Sequence, residues 1–146
     1  MTSRPDKSGT IVGADGRAKA YRPLPVDVRA AAVREGLDAY DRGDYFEAHE
    51  LLEPAWMGAS DPAERAVLQG LIKLAAAYVH EVRGNPAGIA KNLSGARARL
   101  AEGINGDAVD VDVADLIGEI DVRLADLADH PDGPTLPPPT LVRRAR

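Results

Sequence analysis

Residues 43–64 read "GDYFEAHELLEPAWMGASDPAE" and carry the punctuation of three helices. Gly43 is the residue type that closes a helix in left-handed backbone. The Asp44 side chain can accept from the amide of Glu47, and the Glu47 carboxylate can reach back to the amide of Asp44. Asp61-Pro62-Ala63-Glu64 repeats that logic, with proline at the first helical position, where its missing N–H costs nothing. The stretch therefore predicts one helix ending at Gly43, a second starting after Asp44 and a third starting at Pro62.

Working outward, helix 1 is expected over about 28–42, with Val33, Leu37 and Tyr40 on one side. Helix 3 is long, about 62–83, and stops at Gly84. Asn85-Pro86 opens helix 4, which ends near Gly103. "INGDAVDVD", residues 104–112, reads as a loop whose last residue, Asp112, caps helix 5. That helix runs to about Asp129, before His130-Pro131. Val109, Val111 and Val113 alternate briefly and then enter a helical period, so no strand is expected. The fold class is all-α, a compact bundle of about five antiparallel helices over residues 27–130. Residues 1–26, rich in Gly, Pro, Ser and charge, are expected to form a flexible arm. Residues 131–146 form a Pro-rich C-terminal arm, expected to be solvated, in which "LPPPTL" lies extended.

Composition excludes several functions. The chain has no cysteine, so disulfides, thiolate metal sites and cysteine catalysis are absent. The N-terminus shows no long apolar run, so no membrane span is expected and a cytoplasmic protein is the default. The net charge is −5, and the only basic run is the short Arg143–Arg146 tail, so nucleic acid is not expected as a partner.

Residues 44–56 concentrate the chemistry, with His49, Glu47, Glu50 and Glu53 among the rings of Tyr45, Phe46 and Trp56. At about 100° per residue, Tyr45, Ala48, Leu52, Ala55 and Trp56 share the apolar face. His49 projects from its edge with Glu53 one turn on, while Phe46 precedes Glu50 by one turn. Helix 3 sets Leu68, Leu71, Ile72, Ala75, Val79 and Val82 on its apolar face and Gln69, Lys73, Ala76 and His80 along a polar line. With the connecting turn centred near residue 59, His49 faces the level of Gln69 and Glu53 that of Arg65. His80 then lies about 16 Å along the axis from Gln69, too far to share a metal with His49. Pro54 lacks an amide hydrogen and crowds the Glu50 carbonyl, so a kink is expected there.

His49, Glu50, Glu53 and Gln69 are the candidate cluster, with Phe46, Trp56, Arg65 and His80 beside them. The zinc-protease pattern needs a second histidine where Glu53 stands, and the diiron Glu-x-x-His spacing is one residue too short here. No cofactor is expected, with a divalent metal as the alternative. Acid–base catalysis by His49, oriented by Glu50 or Glu53, lacks a visible nucleophile. The favoured reading is an interaction or binding module with a His/Glu/Gln network between helices 2 and 3, homo-oligomeric or with a protein partner. The alternative is a metal-dependent or acid–base, hydrolase-like enzyme.

"YDRGDYFEAHELLEPAW", "LQGLIKLAAAYVHEVRGNPAG" and "LSGARARL" together resemble the domain of unknown function 309 family, small helical bacterial and archaeal proteins, over about residues 35–103. The residues matching its pattern are Gly43, Phe46, His49, Glu50, Glu53, Trp56, Gln69, Gly70, His80, Gly84 and Asn85. The resemblance implies a compact helical bundle and no assigned reaction. Pro54 departs from the pattern, where a helix-compatible residue is more usual.

Overall fold

A computed structural model describes residues 10–12, 18–20, 23–82 and 85–144. Its helices are α1 Val26–Asp41, α2 Tyr45–Gly58, α3 Pro62–Val82, α4 Pro86–Glu102 and α5 Val113–Asp129. The protein is an all-α bundle in which each helix packs chiefly on its neighbours in sequence, with α3 between α2 and α4. Two short strands precede it, β1 Thr10–Val12 and β2 Ala18–Ala20, paired antiparallel with Thr10 opposite Ala20. No strand was expected from the sequence; Thr10-Ile11-Val12 is a β-branched run, the residue type that favours extended backbone. Much of the expected flexible arm over residues 1–26 lies outside the described residues.

The caps explain the boundaries. Gly43 adopts φ 84°, and its amide donates to the Tyr40 carbonyl at 2.9 Å. The Asp44 amide donates to the Ala39 carbonyl, also at 2.9 Å, completing a Schellman closure of α1. Asp44 then turns to α2, its side chain accepting from the Glu47 amide at 3.2 Å. The expected reciprocal bond is absent, because the Asp44 amide is already committed to α1. The Glu47 carboxylate takes Arg42 instead. Asp61, Asn85 and Asp112 cap α3, α4 and α5 by accepting from the amides of Glu64, Gly88 and Asp115. The reach-back from Glu64 is likewise replaced, since its carboxylate receives Arg29 of α1 through Nε and Nη2, both at 3.3 Å. Helix α2 runs from Tyr45 to Gly58 with Pro54 inside it.

The core is aliphatic and alanine-rich. Leu68, Ile72, Leu74 and Ala75 of α3 are fully buried, as are Leu93, Ala96 and Leu100 of α4. Two glycines inside helices sit at close helix approaches. A Cβ on Gly36 would lie 2.6 Å from Leu52 Cγ, and one on Gly70 would lie 2.7 Å from Leu100 Cγ. Small side chains at such crossings let the backbones approach, which is why the neighbouring leucines are sealed.

The C-terminal segment departs from the expectation of a solvated arm. The Tyr40 hydroxyl donates to the Pro139 carbonyl at 2.8 Å, and Arg123 Nε to that of Pro137 at 2.8 Å. The Asp112 amide donates to the Val142 carbonyl at 2.8 Å, and Leu141 is 6% exposed. Residues 137–142 thus strap α1 to α5. Prolines donate no amide, yet their carbonyls accept from side chains of the bundle, and the leucine supplies the apolar anchor. The basic tail is also used internally, with Arg143 on Asp41 and Arg144 on Asp110 and the Gly106 carbonyl. Among the described residues, no helix is long and apolar enough to cross a membrane.

Candidate functional site

The α2–α3 hairpin positions the residues singled out from the sequence. The Arg65 guanidinium lies over the Trp56 ring, 5.6 Å from its centroid. Near the other end Tyr45 of α2 meets Tyr78 of α3, with centroids 5.8 Å apart. These two contacts join α2 and α3 near both ends of the antiparallel hairpin. The turn joins Gly58 to Pro62, so its centre falls at Ser60, one residue beyond the expected 59. Each residue of such displacement moves every facing pair by two.

The cluster therefore divides. Trp56, Arg65 and Gln69 come together where α2, α3 and α4 meet, lining a shallow pocket of about 230 Å³ with Arg99 and Glu102. Trp56 is 2% exposed and Arg65 is 9% exposed, so the cation is largely removed from water and held on an aromatic face. Arg99 is neutralised by Glu102 at 2.7 Å. The pocket mixes a buried ring edge, an amide and a guanidinium, which suits polar recognition of a small group.

Phe46, His49 and Glu50 stay on the outer side of α2. His49 is 28% exposed in its side chain, and its Nδ1 lies 4.0 Å from a Glu50 carboxylate oxygen. Phe46 is 59% exposed. Glu53, on the same stripe, is half-buried. His80 falls in the last turns of α3, and its side chain lies outside the described residues. Among the described residues, no three of His, Asp and Glu converge closely enough to hold a metal ion.

Sequence reasoning missed three arrangements. Arg29 and Glu64 form a mostly buried pair between α1 and the start of α3. No helical period connects residues so far apart, so the sequence gives no signal for it. The rings of Tyr40, Tyr45 and Tyr78 form a chain across α1, α2 and α3, with the Tyr40–Tyr45 centroids 5.2 Å apart and edge-on. Burial pushes the Tyr40 phenol far above the usual tyrosine range, and Tyr78 and Tyr45 reinforce the shift. The third is Arg123, which bonds both Glu119 and the Pro137 carbonyl and so holds the strap.

Fold and site together define a small helical bundle with a polar, aromatic seam between two consecutive helices. Residues 33–92 match the family described as Domain of unknown function (DUF309). The match runs from α1 into α4 and contains the whole α2–α3 hairpin. No curated protein matches the chain.

Proposed function

We propose that the protein is a non-enzymatic interaction module that self-associates through the outer stripe of α2. Phe46 carries this reading. It is the chain's single phenylalanine and is 59% exposed, whereas the rings of Tyr40, Trp56 and Tyr78 are buried. Phe46, His49, Glu50 and Glu53 follow the i, i+3, i+4, i+7 spacing of one helix face. An apolar ring held in water gains free energy when another surface covers it. The stripe is self-complementary, since it carries an imidazole and carboxylates side by side. Across a two-fold axis near His49 and Glu50, each imidazole meets the other copy's Glu50, and each phenyl ring covers the methylenes of the other copy's Glu53.

Sedimentation equilibrium tests this directly. The wild type is expected to form a reversible dimer, and Phe46→Ser to shift it to monomer with unchanged helical circular dichroism. A wild type that stays monomeric up to millimolar concentration sinks the reading.

A second reading is acid–base or metal-assisted chemistry at His49. One observation favours it: the imidazole is reachable from water with a carboxylate 4.0 Å from Nδ1. Zinc titration of the wild type against His49→Ala separates the two, because stoichiometric binding lost in the variant belongs only to the second reading.

A further inference from the structure

A second cleft lies away from the α2–α3 seam. It runs along α1, facing the start of α3, the loop between α4 and α5, and the C-terminal strap, and has a volume of about 510 Å³. That falls in the ordinary range of small-molecule sites, about 300–1,000 Å³. Its floor is apolar, with Val33 and Leu37 buried. Its charges are of both signs, and several are already satisfied. Arg29 and Glu64 neutralise each other. Asp110 accepts from the Arg144 amide at 3.2 Å. Arg143 uses Nη2 on Asp41 at 2.7 Å, while its Nη1 is buried with no acceptor. Arg34 and Asp38, one turn apart on α1, both line the cleft, and neither side chain has a partner among the described residues.

We propose that this cleft binds a zwitterionic dipeptide with aliphatic side chains. A purely anionic ligand would meet Asp38 and Asp110, and a purely cationic one would meet Arg34 and Arg143. Only a molecule carrying both charges satisfies the rim. Arg34 and Asp38 are separated by about 6 Å along the helix axis. Two extended residues span about 7 Å, so a free carboxylate on Arg34 and a free ammonium on Asp38 match in reach. The peptide carbonyl between them is the acceptor that the buried Nη1 of Arg143 lacks. Aliphatic side chains cover Val26, which lines the cleft and is 71% exposed, where a polar ligand would leave it wet.

The test is calorimetric titration of the full-length protein with L-leucyl-L-leucine, its N-acetyl derivative and its C-terminal amide. The free dipeptide is expected to bind one-to-one, and each blocked form to bind at least about tenfold more weakly, the size of one lost charge-assisted hydrogen bond. Arg34→Ala and Asp38→Ala are expected to weaken the free dipeptide by about tenfold or more each; both side chains are exposed, so the fold tolerates the changes. Phe46→Ser is expected to bind as the wild type does, which keeps this result separate from self-association through α2. Absence of saturable binding at millimolar dipeptide, equal binding of the blocked forms, or unchanged binding by both cleft variants would overturn the proposal.

Discussion

The Tyr40 hydroxyl donates to the Pro139 carbonyl at 2.8 Å, joining the last full turn of α1 to a strap ninety-nine positions further along the chain. Tyr40 is 5% exposed, so its phenol has no water to replace that acceptor. Tyr40→Phe removes the donor and strands the carbonyl, and is expected to cost about 1–2 kcal/mol in denaturant unfolding. The sign with pH follows from the raised pKa. The folded state holds the phenolic proton more tightly than the unfolded chain does. Its contribution is therefore complete below the ordinary tyrosine value near 10.0 and falls as pH rises past it. Thermal unfolding followed from neutral to strongly alkaline pH should decline more steeply for the wild type than for Tyr40→Phe.

Glycine substitutions separate close packing from helix propensity. At Gly36 a new methyl would sit 2.6 Å from Leu52 Cγ, in a sealed α1–α2 crossing. Gly36→Ala is expected to destabilise by about 1–3 kcal/mol through overpacking. Gly118 of α5 is exposed and has nothing within reach of its Cβ position. Gly118→Ala is expected to stabilise by about 0.5–1 kcal/mol, because only backbone entropy changes. A Gly36→Ala midpoint that rose in urea titrations alongside that of Gly118→Ala would contradict the α1–α2 packing.

Arg29 and Glu64 retain only 17% and 10% of their side-chain exposure, and Arg29 Nη1 also donates to the Leu24 carbonyl at 2.7 Å. The pair ties α1 to the first turn of α3, where Asp61 already caps the helix. Arg29→Ala leaves the Glu64 carboxylate without its partner in a mostly dry site and is expected to cost about 2 kcal/mol. Asp61→Ala, which removes only the cap, is expected to cost about 1 kcal/mol. A loss for Arg29→Ala no larger than that of a solvent-exposed pair such as Arg42–Glu47 would show that water enters this contact.

Helix ends were legible because each depends on residues within a few positions, such as Gly43 with Asp44, or Asn85 with Pro86. The facing of α2 on α3 was less so. A displacement of the turn by a single residue slides every facing pair, and nothing local fixes the centre of "MGASDP". The capping-box carboxylates of Glu47 and Glu64 were assigned to the nearest amides, but Arg42 and Arg29 compete for them more strongly as charged donors. The strap was illegible for a related reason. Prolines exclude a helix, but whether their carbonyls find donors depends on Tyr40 and Arg123, which only the folded bundle presents. The exposure of Phe46 was equally hidden, since a wheel places the ring on a face without saying what covers that face.

Trp56 is the only tryptophan, so fluorescence reports its site alone. The ring is 2% exposed, with the Arg65 guanidinium 5.6 Å from its centroid and Gln69 on the same pocket wall. The wild type is expected to emit to the blue of free tryptophan. Arg65→Ala removes both the cation and the methylene stem that roofs the pocket. It is expected to shift emission to the red and to lower stability by about 1–2 kcal/mol. Arg65→Leu restores an apolar roof without the charge. If covering the ring is the main role of Arg65, the leucine variant keeps the blue emission and recovers most of the loss. If the charge over the ring dominates, stability falls in both variants while only alanine turns red. Unchanged emission in Arg65→Ala would place the guanidinium away from Trp56 and remove its role as the roof of the pocket.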